Sequence, residues 1–545
     1  MVVADTSNLI STQVVIVGAG PVGLTLALDL AQRGIKVCVV EQGSEAEAGD
    51  AKCNTVSART METFRRLGVS EKVRAAGLPD DYPTDAVFTD GFGGTEITRI
   101  ELPSRNERMQ SNGRSAPGFL DSNWLTPEPV VRLSQYFLNP ILYQYAKTFS
   151  NISLMPQVIF RKYETTESGV HVTGDSISDG KSIELEASYL VGCDGARSMV
   201  RKQMGVSLIG DDQLGRTRST LIRCPQIRNL YKGRPAWMNW ISNSKVSVVC
   251  IAIDGKELWL LHRNVPPGAT DFDDLDADQS IRDLVGVADL QWEVIQHVDW
   301  TARRLVAERF RVGNVFIEGD AAHIWIPMAG YGMNAGIADA MNLSWMMAAV
   351  LMGHASPSIL DAHEKERHPI TEQVSRLAMA KALEYGSRNT KKDVPREEVA
   401  KIVYEINAPQ FACEGLNFGY FYDDSPLILY DAEIPPGYDM GSATPSTAPG
   451  CRLPHFWLNA KDSIYDLLGP YYSLLQLNGR KMDNLFKDAF DVGRMPLTVI
   501  DVEAAAPYFR HDFLLVRADQ HISWRGNALP GDMTAVVEKL THRFG

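Results

Sequence analysis

Between Gln13 and Glu41 the sequence leaves the backbone few options. Gln13–Val17 is a short β-branched run of the kind that forms a buried strand. Gly18-Ala-Gly20-Pro21-Val22-Gly23 follows at once, and Leu24 to Arg33 then reads as a helix stopped by Gly34. Lys36–Val40 reads as a second buried strand, ending at Glu41. A strand, a glycine turn and a helix in this order form a dinucleotide-binding unit. Gly18 permits the tight turn, Gly20 lets the backbone approach a pyrophosphate, and Gly23 lets helix and strand pack closely. The phosphates would sit on backbone N–H groups at the positive end of the helix. Glu41 and the adjacent Gln42 stand where ribose hydroxyls would be bound. A carboxylate there repels a 2′-phosphate, so this site favours FAD or NAD over NADP.

The same segment answers a question of class. Val14–Ala31 is almost continuously apolar, but Gly18, Gly20, Pro21, Gly23 and Asp29 interrupt it, so no membrane span is expected. The chain has 545 residues and a net charge of −13, which argues against nucleic acid as the main partner. Seven cysteines are scattered without a CxxC pair, so neither a disulfide framework nor a zinc ribbon is expected, and a cytoplasmic setting is the default. The histidines show no ligand spacing and no metal is expected; His323 is read as ordering its own turn.

Two later segments choose between FAD and NAD. Tyr189-Leu-Val-Gly-Cys-Asp194-Gly195-Ala-Arg197-Ser198 reads as a strand, a turn and a helix start. Phe316-Ile-Glu-Gly319-Asp320-Ala-Ala-His323 is another strand, ending in a carboxylate suited to a ribityl hydroxyl. Pro327 and the glycine-rich Gly330-Tyr-Gly332-Met333-Asn334-Ala-Gly336 follow, then a long helix from about Ile337 to Leu351. A glycine-rich helix start offers backbone N–H groups to the electron-rich edge of an isoalloxazine ring.

These motifs, in this order, resemble those of the class A flavoprotein monooxygenases, the family with the p-hydroxybenzoate hydroxylase fold that includes phenol, resorcinol and 3-(3-hydroxyphenyl)propionate hydroxylases. The resemblance implies an α/β chain with a Rossmann-like FAD-binding domain, an inserted mixed β-sheet substrate domain and a C-terminal thioredoxin-like domain. It places the FAD-binding domain at residues 1–80, 130–215 and 300–370 and the substrate domain at 81–129 and 216–299. A helical segment and linker then occupy 371–440, and the thioredoxin-like domain 441–545. Arg517-Ala-Asp519-Gln520-His521-Ile-Ser-Trp524-Arg525 matches a segment of that last domain, where the missing CxxC leaves a packing or homodimer-contact role.

Carried over motif by motif, the resemblance gives Gly18, Gly20, Gly23 and Glu41 to the dinucleotide and Lys52 to the pyrophosphate. Arg132 and Gln135 match a segment on the ribityl and phosphate side. Asp194 and Gly195 match a motif linked to both FAD and NAD(P)H, and Asp320 the ribityl aspartate. Pro327 falls at the reactive flavin face and Gly332, Met333 and Asn334 at the pyrimidine edge. Trp237, Asn239 and Trp300 are substrate-pocket candidates on the roof, as are Trp325 and Ile326, where relatives carry smaller or stiffer residues. Trp325 and Pro327 are the candidates beside the chemistry. Asn54 stands where phenol hydroxylases carry an aspartate, and it cannot act as a base.

The implied activity is a single-component monooxygenase. NADPH or NADH, bound transiently, reduces FAD; O2 is activated as a C4a-hydroperoxide; a small aromatic substrate is hydroxylated. Two alternatives stay open: an epoxidase or Baeyer–Villiger oxygenase acting on a polyketide-like ring, and a non-oxygenating flavoprotein reductase or flavin-binding module.

Overall fold

The computed structural model describes residues 9–45, 49, 51–92, 94–110, 120, 125–243, 247–265, 272, 277–285, 290–327, 330–388, 395–482, 484–503, 507–528 and 530–542. Met328, Ala329, Val246 and Arg543, which the sequence places in the flavin-side segment, a strand and the last helix, lie outside them.

Among the described residues the β-branched runs near the N-terminus pair into a six-stranded sheet. Its order is Arg311–Val312, Val315–Ile317, Tyr189–Gly192, Val14–Val17, Val37–Val40 and Ile152–Met155. All its neighbours are parallel except the first pair. Parallel strands are covered on both faces, which is why these runs are continuously apolar rather than alternating. On one face Val14, Ile16, Val37, Val39, Val191 and Phe316 pack against helices. On the other, Val15, Val17, Cys38, Leu190 and Ile317 pack against Val158, Phe160, Val172 and Leu185 of a four-stranded sheet.

The first helix spans Pro21–Gln32, with proline at its first position, where its fixed φ and missing N–H cost nothing. The long helix runs over Tyr331–Leu351, starting six residues earlier than the glycines suggest. Gly330, at φ 61, is its left-handed N-cap. Gly332 and Gly336 therefore lie inside the helix, and at Gly336 close packing against Val22 and Gly319 requires the small size.

An eight-stranded sheet forms the middle of the molecule: His323–Ile324, Glu293–Ala307, Leu208–Arg223, Leu258–Asn264, Ser247–Ala252, Met238–Ser242, Ala86–Thr89 and Glu96–Ile100. Its first member belongs to the Gly319–His323 turn, so the sheet is stitched to the six-stranded sheet at that turn. Beyond it, a helix over Asp361–Arg388 carries Pro369 in its interior, and Arg396–Ala412 forms the next. At the C-terminus Tyr472–Leu477 and Leu497–Val502 are parallel, joined through Leu485–Val492. The hairpin Phe513–Arg517/Ile522–Gly526 and the helix Met533–Thr541 complete the thioredoxin-like unit. Tyr472, Leu474, Phe513 and Leu515 join the same apolar core as Trp345 of the long helix. No described helix is long and apolar enough to cross a membrane.

Candidate active site

The three glycine-containing motifs meet through one side chain. Val22, on the first turn of the first helix, fits a notch made by Gly319 and Gly336. A Cβ at Gly336 would meet Val22 Cγ2 at 2.7 Å and Gly319 Cα at 2.8 Å, and one at Gly319 would meet Val22 Cγ2 at 3.0 Å. Gly18 takes φ 108 and passes so close to the Cys193 carbonyl that no side chain fits. Gly23 is equally hemmed, by the Gly18 carbonyl, Cys193 and Ile16. Gly20 differs: a Cβ there meets nothing within 4 Å. No side chain caps the helix that Gly20 begins, and no acid sits in its first turn. Its N–H groups and positive end therefore face open space beside a bare backbone, the arrangement a pyrophosphate requires.

Glu41 anchors this loop. Its Oε2 accepts the Ala19 N–H at 2.7 Å and its Oε1 the Gly43 N–H at 2.6 Å. Each oxygen keeps a second lone pair for a ribose hydroxyl. Gln42 is exposed beside it.

Asp320 follows Gly319 at the end of its strand with an exposed carboxylate. Surrounding protein nevertheless pushes its pKa up, against the pull of His323 and Lys52. An exposed carboxylate at the end of a strand can accept from a hydroxyl donor. His323 turns away from it: Nε2 lies 2.6 Å from Asp339 Oδ2, and Arg367 Nε holds Oδ1 at 2.7 Å. All three side chains are buried, and His323 orders the turn from behind. Arg201 adds a tie that spacing does not reveal, donating from Nη1 to the Ala321 carbonyl at 2.7 Å and from Nη2 to the Ala196 carbonyl at 3.0 Å. Asp194 caps the short helix beyond it, its Oδ2 accepting Met199 N–H at 2.7 Å and Val200 N–H at 3.2 Å. Gly195, at φ 75, makes the turn, and a Cβ on it would meet nothing within 4 Å.

Asn334 is buried, and its amide joins the long helix to the 53–60 segment. Oδ1 accepts from Ser57 N–H at 2.9 Å and Thr60 Oγ1 at 2.7 Å; Nδ2 donates to the Thr55 and Gly330 carbonyls at 3.0 and 2.8 Å. With this amide engaged by protein, Asn334 holds the start of the long helix against the 53–60 segment. Met333 likewise points into the core, while Gly332 has open space where a Cβ would be. Cys53 Sγ reaches the Gly330 carbonyl at 3.2 Å, and burial pushes its pKa up to about 11. Arg132 bridges to the sheet roof, donating to Thr55 Oγ1 at 2.8 Å with its guanidinium 3.8 Å from the Trp237 ring centre. Gln135 opens the helix beside it, its N–H shared by the Lys52 and Cys53 carbonyls. Lys52 is exposed and Asn54 buried nearby.

The pocket candidates do not share one wall. Trp300 pairs with Thr217, and Asn239 runs in register through Cys250 and Leu261 to Thr220, an odd number of residues away, so their side chains leave opposite faces of the sheet. Asn239 is buried, its amide donating to the Tyr231 hydroxyl at 2.8 Å and the Cys250 carbonyl at 3.3 Å. Trp237 is buried between Arg132 and Phe411. Trp325 is stacked between His323, at 4.9 Å, and Tyr331, at 6.0 Å, and Ile326 enters the cluster of Tyr331, Ile370 and Tyr420. These two therefore pack toward the helical side, leaving Pro327 as the exposed residue of that stretch.

Residues 11–378 match the model of the FAD binding domain, and 446–545 that of the aromatic-ring hydroxylase C-terminal region. The chain is 27% identical to the FAD-dependent monooxygenase apdD of Emericella nidulans over 96% of this chain and 89% of that protein. It is 26% identical to a phenol 2-monooxygenase of a Pseudomonas species, over 98% and 93%. A solved structure of the rebeccamycin biosynthetic enzyme RebC with reduced flavin superposes with a TM-score of 0.85 at 31% identity, covering 98% of this chain and 99% of that one.

Proposed function

The chain belongs to the FAD-binding-domain family of flavin-dependent aromatic hydroxylases, and we propose that it hydroxylates an aromatic substrate with O2, using NADH or NADPH as reductant. The observation that carries this reading is the Val22 notch. It holds the start of the first helix, the Gly319-Asp320 turn and the start of the long helix against one another. Gly20 and the first-helix N–H groups would hold the pyrophosphate, Glu41 the ribose, Asp320 the ribityl chain, and the backbone near Gly332 the ring edge.

Bound FAD, once reduced, supplies the oxygen-activating chemistry. The protein's part is to fix the ring, to present Pro327 and the sheet roof to its reactive side, and to keep bulk water away. Arg132, tied to Thr55 and stacked on Trp237, closes the roof against the cradle. Asn54 is no proton acceptor, so phenol activation has no carboxylate at that position.

The test is to incubate the FAD-loaded protein with NADH or NADPH, 18O2 and a panel of phenols. One 18O on a ring carbon per turnover supports hydroxylation. An ester or lactone product identifies oxygen insertion instead. No substrate-stimulated oxygen uptake with any member rejects the reading.

A further inference from the structure

The roof carries a polar relay that the proposed chemistry does not use. On strand Glu293–Ala307 the residues Gln296, Val298, Trp300 and Ala302 share one face. That face looks toward the FAD side. At one end Gln296 Oε1 accepts the Ala51 N–H at 3.3 Å, next to Lys52; at the other Ala302 packs on the cluster that includes Trp325 and Ile326. Thr217, Ser219 and Leu221 lie on the same face of the neighbouring strand, and His262 stands opposite Ser219 on the next. On the other face Phe272 lies against Arg216 and Arg218 and Tyr231 against Asn239, while His297 and Asp299 are exposed.

Within this wall Trp300 Nε1 donates to Ser219 Oγ at 2.8 Å, and Ser219 Oγ lies 2.7 Å from His262 Nδ1. An indole N–H can only donate, so Ser219 Oγ accepts from Trp300. Ser219 is 4% exposed, and these two rings are its side chain's hydrogen-bond partners among the described residues. The hydroxyl proton therefore goes to Nδ1. A neutral imidazole that accepts at Nδ1 carries its proton on Nε2. His262 is neutral at physiological pH, because burial pushes its pKa down to about 4. Its Nε2 has no acceptor among the described residues and is not among the fully buried polar atoms. The relay thus presents one uncharged donor on a face that also carries Val249, Leu260, Leu221 and Val298, with Thr217 and Gln296 as further polar residues beside the relay.

We propose that His262 is a substrate-orienting residue whose Nε2–H donates to a carbonyl oxygen on the aromatic substrate, and that Trp300 and Ser219 act through it by fixing the donor tautomer. A donor that no described protein group satisfies discriminates well, because a substrate without the acceptor leaves it unpaired. An uncharged donor suits a ring carbonyl.

This inference rests on the aromatic-hydroxylase reading. The experiment is a calorimetric titration of the FAD-loaded, oxidised protein with 2-hydroxyfluoren-9-one and 2-hydroxyfluorene, which differ only in the C9 carbonyl. The wild type is expected to bind the ketone about tenfold more tightly, the value of one hydrogen bond. His262→Leu should bind both equally. His262→Gln, with an amide nitrogen near the Nε2 position, should recover part of the preference. Ser219→Ala, which releases the tautomer, should lose part of it. Flavin content and melting temperature of each variant establish that it is folded. Equal binding of the two compounds by the wild type, or an intact ketone preference in folded His262→Leu, overturns the role of His262 alone. Binding of neither compound by the wild type overturns this inference, while the aromatic-hydroxylase reading falls only if no phenol stimulates oxygen uptake.

Discussion

Gly20 and Gly23 sit three residues apart in one turn, yet alanine should act on them in opposite ways. Gly20 has φ −73 and ψ 178, ordinary extended backbone for any residue, and an added Cβ meets nothing within 4 Å. Gly20→Ala should therefore leave the apoprotein's stability within about 0.5 kcal/mol of wild type. The methyl group would instead occupy the space the pyrophosphate needs. Displacing one charge-assisted hydrogen bond costs roughly 1.5–3 kcal/mol, or about a 10- to 100-fold loss of FAD affinity. At Gly23 the methyl collides with the Gly18 carbonyl and meets Cys193 Cβ and Ile16 Cγ2 at 3.2 Å. That is overpacking against backbone, worth roughly 1–3 kcal/mol, so the apoprotein should melt about 1–3 °C lower. Thermal melts of the apoproteins and FAD titrations by flavin fluorescence separate the two costs. Wild-type FAD affinity in Gly20→Ala would show that no phosphate approaches that backbone. An unchanged melt in Gly23→Ala would show that the helix is not pinned to the turn.

Asp320→Ala should keep its fold, since the carboxylate is exposed, and lose FAD affinity by about 10- to 100-fold in the same titration; unchanged affinity refutes the ribityl assignment. Trp325→Ala breaks the stack with His323 and Tyr331, so stability should fall by about 3 kcal/mol while peroxide released per NAD(P)H oxidised stays at the wild-type level; a rise in peroxide with an unchanged melt would return the indole to the substrate pocket. Burial pushes the Asp29 carboxyl up, but Arg33, Arg66 and the Ser344 hydroxyl outweigh it and hold the pKa at about 2. A depressed carboxylate stabilises the fold above its unfolded pKa near 4 and loses that contribution as pH falls from about 4 to 2, about 2 kcal/mol in all; acid titrations should show Asp29→Asn lacking that part of the decline, and identical acid limbs would refute the linkage.

What could be read from the chain followed local physics. The parallel strands are continuous apolar runs and the glycine turn has its own signature, so both are visible in a short window. Windows failed where tertiary contact decided the conformation. Gly332 and Gly336 suggest a loop, but Gly336 is small because Val22 must enter, and the helix begins at Tyr331. Pro369 suggests a break, yet the helix passes through it, with Ile370, Val374 and Ala378 buried on the far side offsetting a missing donor worth about 3 kcal/mol. Tyr472–Leu477 is buried at every position and has no alternation to announce it. Asn334 was legible as a site residue by resemblance, but the 277 residues between it and Ser57 hide that its amide serves the protein itself. Asn239 shows the limit of resemblance, since one residue of strand register decides which face a side chain leaves.

The least legible part is the polar seam behind the flavin cradle. Arg517, in the C-terminal sheet, is fully buried; its Nη1 and Nη2 reach Glu366 Oε1 and Oε2 at 2.5 and 2.7 Å, and Nη2 also reaches Asp519 Oδ2 at 2.5 Å. Asn342, on the long helix, donates to Glu366 Oε2 at 2.6 Å and holds His363 Nδ1 at 2.9 Å from its Oδ1. His363 Nε2 lies 3.0 Å from Glu318 Oε1, and Glu318 directly precedes Gly319-Asp320. Burial lowers the affinity of His363 for a proton, but Glu318 more than reverses this and its pKa rises. Buried charges of this kind add little net stability as pairs, yet removing one partner costs about 3–5 kcal/mol because the other is stranded without water. The C-terminal sheet therefore cannot shift away from the Asp361–Arg388 helix without exposing or orphaning Glu366. Through Asn342 and His363 that constraint extends to Glu318, the residue before Gly319-Asp320. A thioredoxin-like unit without a CxxC pair still has a physical task in this architecture: it closes the buried end of a charge chain whose other end backs the Gly319-Asp320 turn.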